Sequence, residues 1–127
     1  SNFEQLLDAL SLAPINGNTA PMQAFCRSNG NIDVYQIANN AGILAFSVTA
    51  GEIRAGLNQN SNTLIGSAGD YSLWVLSSDE IQLNTIGYEF RFVYETFCGT
   101  LPNVAPTLPI QDDDELPPFT IVNRPLD

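Results

Sequence analysis

The chain has 127 residues and a formal net charge of −10, from fourteen Asp and Glu against four Arg, with neither lysine nor histidine. Those absences exclude histidine-assisted nucleophiles, Schiff-base and phosphate-loop lysines, and His-ligated zinc or haem, and the acidity argues against a nucleic-acid-binding surface. With 44% hydrophobic and 14% charged residues, the length suits one domain with its own core rather than a disordered chain.

Residues 1–21 form the first of three zones. Phe3, Leu6, Leu7 and Leu10 recur at i, i+3, i+4 and i+7, and Ser1 with Glu4 has capping-box spacing. This predicts a short amphipathic helix near 2–12. So short a helix is marginal in water by itself, so its stripe needs a docking surface on this domain or on a neighbour. Pro14, Asn16-Gly17 and Pro21 then mark a loop. The opening Ser1-Asn2 carries no basic and apolar leader pattern, and no run nears the roughly 18 apolar residues of a span. Neither a secretory signal nor a membrane segment is read from this chain.

Residues 22–98 read as short strands. Asn29-Gly30 is the strongest hairpin signal, joining 22–28 to 31–38. Strand 43–49 sets Leu44, Phe46 and Val48 against Ala45, Ser47 and Thr49, and Ala50-Gly51 turns it into a strand 52–57. In that strand Ile53, Ala55 and Leu57 alternate with Glu52, Arg54 and Gly56. Asn58–Asn62 is a polar loop. Residues 70–77 place Tyr71, Leu73 and Val75 opposite Trp74 and Leu76, and a turn at 77–80 leads into 80–86. The clearest strand is 88–97, with Tyr88, Phe90, Phe92 and Tyr94 on one face and Glu89, Arg91 and Glu95 on the other. The expected class is all-β: an antiparallel β-sandwich, jelly-roll or immunoglobulin-like, with a short N-terminal helix and an extended Pro-rich C-terminal arm.

That arm spans 99–127 and holds six of the eight prolines together with the run Asp112-Asp113-Asp114-Glu115. Proline fixes φ and removes a donor, so the segment is extended and no central strand. Its apolar residues include Leu101, Val104, Leu108, Ile110, Leu116, Phe119, Ile121 and Val122, too many for a plain solvated tail. Phe119–Val122 has the character of one further strand. The arm lies either on a partner subunit or around its own domain.

Chemistry-bearing residues are few. Cys26 and Cys98 either form a disulfide, which needs an oxidising compartment, or remain two buried thiols. A cysteine nucleophile would lack a histidine base. The Asp112–Glu115 run lacks the alternation of a calcium loop and reads as a solvated charge run. Asp33, Asp70, Asp79 and Glu80 fall at strand ends and turns; any pair could in principle act as a glycosidase acid and base, while turn chemistry explains Asp70 and Asp79 without catalysis. Trp74, Tyr35, Tyr71 and Tyr88 could line a sugar-stacking face, although strand-spaced aromatics are more often core. Thirteen asparagines supply neutral hydrogen bonding suited to wet protein contacts. The chain is therefore read as non-enzymatic, with no cofactor and no metal.

The hairpin around Asn29-Gly30, the strand Tyr88–Phe97 and the arm Gly99–Asp127 give an architecture that resembles the small decoration (cement) proteins on tailed-bacteriophage heads. The resemblance implies a virion capsid decoration subunit that binds a shell protein and copies of itself, as dimer or trimer, and stabilises the shell. It implies neither nucleic acid nor membrane as partner, and a virion or extracellular location. Contact candidates come from the chain itself: Phe3, Leu6, Leu7 and Leu10 in the helix, and Leu108, Ile110, Phe119, Ile121 and Val122 in the arm. The alternatives are a surface-fibre subunit, with Phe119–Val122 completing a neighbour's sheet, and a carbohydrate-binding or adhesin module.

Overall fold

The structure, a computed structural model, describes residues 14–17, 20–38 and 41–107. The described residues are mostly β, with two antiparallel sheets and two short helices. β1 (Met22–Cys26), β2 (Ile32–Ala38) and β3 (Ala41–Val48) form the first sheet, in the order β1-β2-β3. Helix α1 (Ala50–Leu57) follows. The second sheet contains β4 (Thr63–Ala68), β5 (Tyr71–Val75), β6 (Ile81–Thr85) and β7 (Tyr88–Phe92), again in sequence order, and helix α2 (Tyr94–Cys98) ends the described secondary structure.

The pleat sorts the side chains. Met22, Ala24, Ile32, Val34 and Val48 of the first sheet enter one buried cluster with Ile65, Leu73, Val75, Ile81, Leu83 and Phe92 of the second. Ile53 from α1 and Tyr94 from α2 complete it. Phe25 and Tyr35, buried on the opposite face of the first sheet, meet edge to face at 5.5 Å and stand outside that cluster.

The hairpin at Asn29-Gly30 forms, with a connection of five residues. Gly30 N–H donates to Arg27 O at 2.9 Å and Arg27 N–H to Asn31 O at 2.8 Å. Gly30 has φ of +93°, a backbone region that a side chain disfavours.

Three expectations are corrected. Residues 52–57 are not a strand but most of α1. Thr49 is its N-cap: Thr49 Oγ1 accepts from Glu52 N at 3.1 Å, and a Glu52 carboxylate oxygen accepts from Thr49 N at 2.9 Å. This reciprocal cap satisfies helix-end donors that a strand would not have, and it outweighs the period-two alternation of Ile53, Ala55 and Leu57. The seventh strand is instead β4, in a stretch that carries no alternation signal. There Ile65 is an extra residue in the pairing with β5, because Leu64 faces Trp74 and Gly66 faces Leu73. Finally, the aromatic strand stops at Phe92. Val93 opens a turn of helix, and Thr96 N–H donates to Val93 O at 3.1 Å. That turn folds Phe97 back onto Phe90 and Phe92, with ring centroids 6.1 and 5.8 Å away.

Helix α1 packs against the second sheet through a glycine. A Cβ on Gly56 would stand 2.8 Å from Val75 Cγ2 and 3.0 Å from Ile65 Cγ2. Gly56→Ala gains up to about 1 kcal/mol of helix propensity but overpacks a buried, β-branched contact, at about 1–3 kcal/mol. The expected outcome is a net loss of about 1–2 kcal/mol by denaturant unfolding.

Candidate functional site

The last described segment is held on its own domain. Arg54 of α1 donates from Nη2 to the carbonyls of Leu101 (3.4 Å) and Pro102. Thr107 N–H donates to Gly51 O at 2.9 Å. The backbones approach so closely that a Cβ on Gly51 would meet Thr107 Oγ1 at 2.5 Å and Ala105 O at 2.9 Å. Pro102 lies against Gly30 in the same way. Residues 101–107 thus strap the first hairpin turn to the start of α1.

Cys26 and Cys98 are joined as a disulfide with Cα atoms 5.4 Å apart. The bridge ties β1 to the end of α2 across 72 residues. In the chain-entropy model, closing so long a loop destabilises the unfolded chain by about 4 kcal/mol. Tyr94 reinforces the junction, because its buried hydroxyl donates to Gly30 O at 2.7 Å.

The four sheet edges differ. Along β1, Ile15 N–H donates to Ala24 O at 2.7 Å, while Asn16 Oδ1 accepts from Ala24 N and Asn16 Nδ2 donates to Met22 O. That edge is therefore covered by residues 15 and 16. The β7 edge carries Glu89 and Arg91, both exposed, and charge discourages edge pairing. The bulged β4 edge runs beside β3, whose Val48 and Phe46 side chains lie on Gly66. The first half of β3 carries neither cover nor charge among the described residues, and its bulge lies just beyond it at Ala45, because Leu44 faces Tyr35 and Phe46 faces Val34. It ends its sheet and carries neighbouring apolar residues that are 57% (Ile43) and 51% (Leu44) exposed.

The outer face of the second sheet is polar around one indole. The register aligns Trp74, Gln82 and Arg91 in one row across β5, β6 and β7, and Ser72, Asn84 and Glu89 in the next. Trp74 Nε1 donates to Ser72 Oγ at 3.0 Å. Arg91 donates to Gln82 Oε1 from Nε (3.0 Å) and Nη2 (2.8 Å), and Gln82 Nε2 donates to Asn84 Oδ1 at 2.9 Å.

Of the aromatic set considered for stacking, Trp74 alone sits on this face. Tyr71 and Tyr88 pack against the shared cluster, and Tyr35 is buried on the first sheet. Asp33 accepts from Ser47 Oγ at 2.8 Å and stands 3.6 Å from Arg27 Nη1. Asp79 occupies a left-handed turn position with φ of +70°, and Glu80 accepts from Ser78 Oγ. Asp70 lies in the β4–β5 turn. Among the described residues, no group of three or more Cys, Asp or Glu is placed to hold a metal ion, and no helix is long and apolar enough to cross a membrane. A cleft of about 480 Å³ lies between Arg54, Tyr94, Glu95 and Leu101. Phe3, Leu6, Leu7, Leu10, Leu108, Ile110, Phe119, Ile121, Val122 and the Asp112–Glu115 run lie outside the described residues, as does the predicted helix near 2–12.

Compared with protein-family models, curated proteins and solved structures, the chain matches none.

Two outcomes follow from the junction around the first hairpin. Reduction of the Cys26–Cys98 bridge, or its double replacement by alanine, should lower stability by about 3–4 kcal/mol in denaturant unfolding. Burial raises the Tyr94 phenol above its usual 10.0. Burial also raises Tyr35, with a smaller push from the Asp33 charge and an opposing pull from Arg27. A phenol raised on folding contributes stability fully below the unfolded value and loses it as pH rises through the folded one. The denaturation midpoint should therefore fall above about pH 10, and fall less steeply in Tyr94→Phe.

Proposed function

We propose that the chain is a non-enzymatic structural subunit, fixed in many copies to a larger protein shell in the manner of capsid decoration proteins. Its partners are the shell protein and copies of itself, and its setting is a virion or other extracellular assembly. The observation that carries this reading is the open first half of β3. An edge that is uncovered and uncharged among the described residues, with exposed apolar side chains on both faces, suits strand addition by another chain, in which backbone groups supply affinity and alternate side chains fill pockets. Many such weak attachments add up on a lattice through effective concentration.

Two further features support the reading. The Cys26–Cys98 bridge suits maturation outside a reducing cytosol. The disulfide, the Tyr94 hydrogen bond and the strap brace one end of the domain, which suits a subunit held rigid on a larger shell. In this reading the two sheets are the layers of a sandwich. Their consecutive strand order favours two packed meanders over jelly-roll or immunoglobulin-like connections, which need non-consecutive neighbours. The segment beyond Thr107 continues as the arm that reaches the partner.

The test uses particles stripped of this chain and reconstituted with the full chain or with Leu44→Lys. Leu44 is half exposed, so the substitution should leave stability within about 0.5 kcal/mol. Co-sedimentation should nevertheless weaken at least about tenfold, because a lysine at an edge opposes pairing. Full binding by the variant would contradict the assignment of β3 as the attachment edge.

A further inference from the structure

The outer face of the second sheet has a chemical character that strand pairing at β3 does not explain. Its apolar component is one half-buried indole, with Leu64 beside it on β4. Around that ring stand an amide pair, a hydroxyl and one charge of each sign. Glu89 and Arg91 lie 3.5 Å apart and cancel locally, so this patch is neutral on a chain of net charge −10.

The polar groups are ordered as well as present. A guanidinium only donates, so the two hydrogen bonds from Arg91 fix which end of the Gln82 amide is oxygen. The Gln82 Nε2 must then point the other way, and it donates to Asn84 Oδ1. That contact occupies the Asn84 oxygen and leaves Asn84 Nδ2 without a hydrogen bond among the described residues. A relay of three side chains therefore presents one donor amide at a defined place. The indole is oriented too. Its N–H is held by Ser72, two residues back on the same strand and face, and the ring is half-buried.

We infer that this face binds a neutral glycan, with Trp74 as the stacking platform and Asn84, Gln82, Glu89 and Arg91 as its hydrogen-bonding border. The axial C–H groups of a pyranose ring suit a π face, and its hydroxyls both donate and accept. The border offers donors at Asn84 and Arg91 and acceptors at Glu89, which is the mixed set that hydroxyls need. From β5 to β7 the row spans about 10 Å, comparable with two linked sugar rings. A nucleic acid would meet a chain with ten excess negative charges. A protein hot spot would surround the indole with water-excluding apolar contacts, where this face has amides and ions. The inference stands independently of the assembly reading.

Trp74 is the single tryptophan, so fluorescence excited selectively at tryptophan, past the absorbance of the four tyrosines, reports this face alone. The full-length chain is titrated with β-1,4-linked hexasaccharides of glucose, mannose and N-acetylglucosamine. At least one should shift or quench the emission saturably, with a dissociation constant below about 1 mM and little dependence on salt. In calorimetry, Trp74→Ala should weaken that binding at least about tenfold, and Asn84→Ala at least about threefold with an unchanged unfolding midpoint. No response to any of the three sugars overturns the proposal. So does undiminished binding by folded Asn84→Ala. So does a wild-type oligomer that Trp74→Ala converts to monomer, since the face would then be an interface between copies.

Discussion

The reciprocal cap between Thr49 and Glu52 decides how the chain after β3 is used. Without it, residues 50–57 offer two glycines and an alternating apolar pattern, a poor prescription for a helix. An eight-residue helix is marginal in water even with a good cap. The remainder of its stability comes from burial. Ile53 lies in the shared cluster, Gly56 lets the helix settle on β4 and β5, and Gly51 and Arg54 receive the strap. One short element thus joins the second sheet to the C-terminal segment, and each contact requires the helix to start at Ala50.

A second convergence lies at the first hairpin turn. Asn31 Oδ1 accepts from Ala50 N at 3.0 Å, Gly30 O accepts from Tyr94, Pro102 covers Gly30, and the disulfide fixes Cys26 one residue before the turn. Three sequence-distant segments return to one turn. This closes the end of the domain with few ion pairs, as a chain with four cations must. The two ion pairs among the described residues, Arg27–Asp33 and Arg91–Glu89, are partly exposed and add little to stability. The opposite arrangement holds at the start of β3, where Ile43 and Leu44 are exposed on an edge that no strand among the described residues pairs.

Much of the β character was legible in the sequence. The hairpin at Asn29-Gly30 and strands β5, β6 and β7 carry period-two alternation or turn residues strong enough to locate them. What failed did so for physical reasons. In α1, Ile53, Ala55 and Leu57 fit a strand, and the decisive signal is the Thr49-x-x-Glu52 spacing that ends one residue before Ile53. In β4 the extra Ile65 interrupts alternation, so no local pattern marks the strand. At Val93 the aromatic pattern runs on while the backbone turns, because the Cys98 bond to Cys26 and the Tyr94 bond to Gly30 are contacts made far away in sequence. Surface features were partly legible. Trp74 was placed opposite Leu73 and Val75, but the row it forms with Gln82 and Arg91 depends on cross-strand register, which alternation within single strands does not set.

The central claim is that this chain works as one of many copies on a larger assembly. Its most direct test is sedimentation of the native source material, with intact-mass detection of the chain in each fraction. The account predicts recovery in a very large particle, at a fixed copy ratio to a more abundant shell protein and with the Cys26–Cys98 bridge intact. Recovery only as a free small species would contradict it.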